Sequence, residues 1–214
     1  MKLTWIGHSC FRMEAQNGTV VITDPYDDSV GVEQVPLKAD LITMSHEHHD
    51  HNCTEQIVGA PVIARGLEPA QVGGVSTHAL GSYHDDVQGA KRGKNAIRVF
   101  HIDGLKVVHM GDQGCMPSDE IMEQIAGADV MLIPVGGFYT IDAAQAKALI
   151  DAAGPCCVVP MHVKTKRCGY PIARIWPFLE LMGAKNAVQQ REAELLPGRV
   201  PEGVLLMQPQ TDEL

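Results

Sequence analysis

The chain has 214 residues, 45% of them hydrophobic, and sets 17 Lys and Arg against 26 Asp and Glu for a formal net charge of −9. That length suits one domain over 1–214 with a sizeable core, and the acidic balance argues against wholesale binding of nucleic acid or an anionic membrane, leaving a small-molecule substrate as the expected partner. The opening "MKLTWIGHSC" reaches His8 before any apolar run of signal length, and no later segment approaches a membrane span, so a cytoplasmic protein is expected.

Short apolar or alternating runs separated by turn signals fill the first half: "KLTWIG", "CFRME", "TVVIT", "DLITMS", "PVIAR", "VSTHAL", "AIRVFHI" and "KVVHMG". They read as a meandering sheet. "QNGT" at 16–19 predicts a hairpin turn with positive φ at both Asn17 and Gly18. Beyond Asp112 the pattern alternates: "PSDEIMEQIAG" helical, "DVMLIPV" a strand, "TIDAAQAKALIDAAG" helical, "CCVVPM" a strand, then a helix near "WPFLELMG" and a strand at "GVLLMQ". Thr140 is the expected N-cap of the second helix, with Asp142 in its first turn and Gly154 past its end. Strands in both halves framed by helices suggest a layered α/β sandwich. The six cysteines are scattered and form no C-x-x-C, which reads as reduced thiols; Cys53 and Cys115 stand near the candidate loops but receive no role.

The most informative stretch is "LITMSHEHHDHNCTEQI", residues 41–57, where four imidazoles and two carboxylates crowd into six positions behind an apolar strand. On an extended segment residues two apart share a side, so His46, His48 and Asp50 converge, and a turn into a helix at 52–57 would bring His51 round. This suits two adjacent cations, His46 and His48 on one, Asp50 and His51 on the other. A solvated, weakly chelating His tract would lack the strand-end position and the carboxylate at a fixed offset. An H-E-x-x-H helix is excluded because Asp50 stands where the second His belongs. "GAKRGKN" lacks the Ser or Thr of a phosphate loop, and no G-x-S-x-G elbow occurs.

His46-x-His48-x-Asp50-His51 resembles the H-x-H-x-D-H signature of the metallo-β-lactamase-fold hydrolases. The resemblance implies a downstream His, a bridging Asp and a final His at strand ends, which "SYHDD", "VVHMGDQG" and "VVPMHVKT" offer as His84, Asp112 and His162. Within that superfamily "WIGHSCF", "HMGDQG", "PVGGFYT" and "VVPMHVKT" resemble the metal-dependent hydrolases related to ascorbate-6-phosphate lactonase, from about residue 2 to 165. It implies a four-layer αβ/βα sandwich with two divalent metal ions at the sheet edge, Zn²⁺ by default with Mn²⁺ and Fe²⁺ open. One holds His46, His48 and His84, the other Asp50, His51 and His162, with Asp112 between them. Asp24 in "VITDPY" matches the family's supporting Asp behind the ligands, and His109 is read as structural or supporting. His78 is the rival of His84 but lies inside a strand rather than in a loop. His101 is expected at the surface and His49 in solvent, while His8 is open between lining the site and packing.

The expected activity is hydrolysis of a small anionic ester, lactone or phosphoester by a metal-bridging hydroxide, with Asp50 orienting it or carrying a proton. A nuclease or phosphodiesterase of the same fold, or a noncatalytic metal-binding relative, are the alternatives; few aromatics for base stacking count against the first and the complete ligand set against the second. Six of the 17 basic residues fall in two loops after proposed ligands, Lys91, Arg92 and Lys94, and Lys164, Lys166 and Arg167. Arg92 and Lys164, with the backbone amides of Gly136 and Gly137, are the candidate binders of the substrate anion. The oligomeric state is open, a homo-oligomer included.

Overall fold

The computed structural model describes residues 1–32 and 35–214. Its strands are β1 (Lys2–Gly7), β2 (Cys10–Glu14), β3 (Val20–Thr23), β4 (Leu37–Lys38), β5 (Leu41–Met44), β6 (Ile57–Val58), β7 (Val62–Arg65), β8 (Ala70–Val72), β9 (Val75–Tyr83), β10 (Lys94–Ile102), β11 (Leu105–His109), β12 (Val130–Pro134), β13 (Cys157–Met161), β14 (Ala193–Glu194) and β15 (Gly203–Val204). Among the described residues three α-helices accompany them: α1 (Asp119–Ile125), α2 (Ala143–Ala153) and α3 (Trp176–Leu181).

Two sheets stack, one in the order β14-β1-β2-β3-β5-β7, the other β15-β13-β12-β11-β10-β9-β8, with β4 and β6 paired apart. The expected meander holds only in part. β1 to β3 pair antiparallel, but β5 joins β3, and β7 joins β5, in parallel. Parallel pairing requires a long return connection, and the 45–61 segment that makes one is the His-rich stretch. It forms turns and the short β6, not the helix expected at 52–57.

Alternation along the first sheet decides what each face meets. Leu3, Trp5, Phe11, Met13, Val21 and Leu41 point inward to a core shared with the second sheet and with Ala146, Leu149 and Ile150 of α2. Ile6, Cys10, Val20, Ile22 and Ile42 point the other way and are covered by loop residues such as Tyr26, Val30, Cys168 and Ile172. The layered α/β sandwich therefore covers its first sheet with loops and one 3-10 turn, Asp28–Val30, among the described residues.

Two local expectations need correction. The N-cap of α2 is Asp142, whose carboxylate accepts from the Gln145 amide while the Gln145 side chain accepts from the Asp142 amide, a capping box. Thr140 lies too early because the chain is still turning at 138–140. At the β2–β3 hairpin Gly18 alone is left-handed; Asn17 instead uses its side chain, accepting from Thr19 N and donating to Gly73 O.

Candidate metal centre

Strand ends from both sheets meet along one edge. His8 follows β1, Asp24 follows β3, His46 follows β5 by one residue, His84 follows β9, Asp112 follows β11 by two, and His162 follows β13. His8, Asp24 and His162 have φ of 51°, 38° and 52°. Left-handed backbone is costly for residues other than Gly and persists where surrounding structure over-determines it, often at functional sites. Here it turns each chain sharply enough for the side chain to face the common edge.

The donors fall into two pockets. Ligand atoms of His46, His48 and His84 lie within 4.8 Å of one another, and so do those of His8, Asp50, His51 and His162. Asp112 stands between them: its Oδ2 is 3.2 Å from the Nε2 atoms of His51, His84 and His162. Except for His48, which is exposed, and Asp50, which is half-buried, these residues are buried. Buried polar atoms are ordinarily hydrogen-bonded, yet among the described residues Nε2 of His46, His51 and His162 and Oδ1 of Asp112 make no hydrogen bond, the 3.2 Å approaches to Asp112 Oδ2 lacking its geometry. Such unfilled demand, from nitrogen and carboxylate donors converging at short range, fits divalent cations.

Residues behind the donors set their tautomers. Asp24 accepts from Ser45 N at 2.8 Å, from Ser45 Oγ at 2.6 Å and from His51 Nδ1 at 2.9 Å, so Nε2 is the His51 atom left to face a cation, which would take the place of a proton there. Ser45 Oγ, having given its proton to Asp24, accepts from His46 Nδ1 at 2.9 Å and leaves Nε2 free in the same way. His109 bridges two site loops, with Nε2 donating to Ser9 O at 2.8 Å and Nδ1 accepting from Gly111 N at 3.1 Å. Asn95 accepts from Asp112 N at 3.0 Å and donates to Met110 O. A Cβ on Gly111 would come within 2.4 Å of Asn95 Oδ1 and 2.6 Å of Ser45 Cβ, so this crossing of two loops requires glycine.

Charge follows from this packing. Burial, then the neighbouring His51, pushes His46 down to about 3, leaving a neutral imidazole. For His51 burial is outweighed by Asp112 and Asp24, and its pKa lies well above the usual histidine range. Asp112 shows the converse: burial opposes ionisation, but His162 and His51 hold it well below the usual carboxylate range.

A cleft of about 350 Å³ opens onto these groups, with His48, His84, Asp50, Asp112 and His162 on its floor. Its rim is Ser29, His49, Arg92, Tyr139 and Tyr170. Arg92 lies over the Tyr139 ring at 5.5 Å and donates through Nη2 to Phe138 O at 3.1 Å. Of the other proposed anion binders, none lines the cleft. Lys164 Nζ donates to Tyr170 O at 2.7 Å. Gly137 N is bonded to Ile141 O, and Gly136 packs so tightly that a Cβ there would lie 2.2 Å from His162 O. Lys166 and Arg167 pair with Glu213 and Asp212. His78 and His101 lie exposed on the second sheet, 6.3 Å apart between ring centroids and away from both pockets. All six cysteines are free thiols.

Ser45, Asn95, Tyr139, Tyr170 and Ser29 were not singled out from sequence. Ser45 carried one usable signal, its place between the strand and His46. Asn95 and the tyrosines carried none.

A family model described as the beta-lactamase superfamily domain matches residues 2–162, a span that runs from β1 to His162. A UPF0173 metal-dependent hydrolase of Methanoculleus marisnigri is 31% identical over 77% of this chain and 82% of its own length. A Thermotoga maritima structure named for zinc-dependent hydrolysis within the metallo-beta-lactamase superfamily is 31% identical and superposes with a TM-score of 0.80, covering 96% of this chain and 97% of that one. The fold also matches an isothiocyanate hydrolase from Delia radicum gut bacteria, at 12% identity and TM-score 0.69 over 100% of this chain and 98% of that one.

Proposed function

From the premise that this chain belongs to the metallo-β-lactamase superfamily, among its UPF0173 metal-dependent hydrolases, we propose a binuclear enzyme that hydrolyses a small anionic ester, lactone or phosphoester. The carrying observation is the pair of donor pockets with Asp112 at 3.2 Å from one imidazole of the first and two of the second. His46, His48 and His84 would hold one cation and Asp50, His51 and His162 the other, Zn²⁺ being the best match to the donors and to the name of the Thermotoga relative. Bound there, the cations supply Lewis acidity and a nucleophile at neutral pH. The protein's own groups do the rest. Asp50 faces the cleft, where its carboxylate would orient the attacking hydroxide or carry a proton. Arg92, held by Tyr139 and Phe138 O, keeps a guanidinium edge for a carboxylate or phosphate. The cleft volume sits near the lower end of small-molecule sites, which favours a compact substrate such as a lactone of the ascorbate-6-phosphate type.

Elemental analysis of the purified, metal-replete chain should find two equivalents. Asp112→Ala should lose at least one of them, together with most activity on a panel of lactones, phosphodiesters, phosphomonoesters and thioesters. Two tightly held cations in Asp112→Ala would overturn the shared position of Asp112.

A further inference from the structure

One more side chain is buried at the site. His8 is 4% exposed, its ring lies 4.2 Å from that of His162 and 5.2 Å from that of His51, and among the described residues neither of its ring nitrogens completes a hydrogen bond. Burying an imidazole among other imidazoles is unfavourable unless it bonds something. Its Nε2 faces one acceptor, Asp50 Oδ2, at 3.3 Å. The backbone that places it is left-handed at φ 51° and is held from several sides. His8 O accepts from the Trp5 indole at 3.0 Å and from His162 N at 3.2 Å, while Ser9 O accepts from His109 Nε2 and Thr23 Oγ1. Four elements thus hold a strained conformation whose outcome is to aim one ring at Asp50.

We propose that His8 is a positioning residue that donates Nε2–H to Asp50 Oδ2 and holds this carboxylate toward the second pocket. The inference rests on Asp50 being a cation ligand. It extends to Asp50 the arrangement already seen for His51, fixed by Asp24, and for His46, fixed by Ser45. Two other groups approach the Asp50 carboxylate, which is 13% exposed: His51 Nε2 lies farther away, at 3.8 Å, and the Tyr170 hydroxyl reaches it from the rim of the cleft.

Strain decides which variants are informative. His8→Asn tolerates left-handed backbone but its amide stops short of Asp50; His8→Gln places an N–H near the lost Nε2. Zn²⁺ affinity, measured by chelator competition, should fall about 10- to 100-fold for one bound equivalent in His8→Asn and return most of the way in His8→Gln. In an Asp50→Ala background His8→Asn should change nothing further, because its effect passes through Asp50. Wild-type affinity in His8→Asn, no recovery in His8→Gln, or full additivity with Asp50→Ala would each overturn the proposal. A wild-type chain holding one cation would refute the two-cation reading alone, since the cycle still reports whether His8 acts through Asp50 on that cation.

Discussion

Asp24 shows how much one buried carboxylate carries. It accepts three hydrogen bonds and, through Ser45, fixes the tautomers of two proposed ligands without itself reaching the cleft. Removing one partner from a buried hydrogen-bonded set leaves the others unsatisfied, at roughly 1–3 kcal/mol each. Asp24→Ala should therefore destabilise the chain by several kcal/mol, on the order of 3, in denaturant unfolding. It should also weaken cation binding by about 10- to 100-fold. Unchanged affinity would mean that His51 keeps its orientation without the carboxylate. A second comparison at this scale concerns the third imidazole. His84 is buried beside His46 and His48, whereas His78 is exposed on the second sheet. His84→Ala should impair metal binding and His78→Ala should not; the reverse order in metal titrations would exclude His84 as a ligand.

At the scale of elements, the 85–93 loop that carries Arg92 has its own organising centre. Asp85 accepts from the amides of Val87 at 2.9 Å, Gly89 at 2.8 Å, Lys91 at 2.9 Å and Arg92 at 2.7 Å. Burial works against its ionisation, but these four amides prevail and bring its pKa down from 3.8 to about 2. A carboxylate with a depressed folded-state pKa stabilises fully above its ordinary value and loses that contribution as pH falls through the folded one. Amide-exchange protection in this loop should accordingly decline between about pH 4 and pH 2. Asp85→Ala should lose it at neutral pH. With the loop released, KM for an anionic substrate should rise more than for its neutral analogue, and Arg92→Ala should reproduce that split because a remote charge contact chiefly supplies ground-state binding. Equal changes for charged and neutral substrates would remove Arg92 from substrate binding.

Across the whole molecule, the site is the place where the two sheets are tied together at one edge. Without cations, imidazoles and a carboxylate remain buried there with unmatched polar atoms. Ligands that bind only the folded state stabilise it by mass action, about 2.7 kcal/mol at a hundredfold excess over Kd. For a chain of this length each kcal/mol moves Tm by roughly 2–4 °C, so exhaustive chelation should lower Tm by about 5–10 °C and added Zn²⁺ should restore it. A metal-free chain with unaltered Tm would show that folding and binding are uncoupled at this edge.

How far the molecule is legible in its sequence depends on the range over which each feature is specified. His46, His48, Asp50 and His51 lie within six residues, so their convergence follows from strand and turn geometry alone, and the sandwich follows from alternation and element order. Asp24, His84, Asp112 and His162 could be named because each stands at or shortly past the end of a strand-like run in the order that the family resemblance implies. The rest is decided only when strands pair. Asn95 meets the Asp112 amide through the β10–β11 hairpin, and His8 meets Asp50 because β1 and the 45–61 connection end at the same sheet edge. Tyr170 joins Tyr139 at the cleft from a loop far along the chain. Lys164 and Arg92 looked alike as basic residues after ligands, yet one is spent on the Tyr170 carbonyl and the other reaches the rim. Local sequence specifies backbone conformation and side-chain chemistry. Which groups share a pocket is settled by contacts between segments distant in the chain, whose positions depend on the register and packing of both sheets.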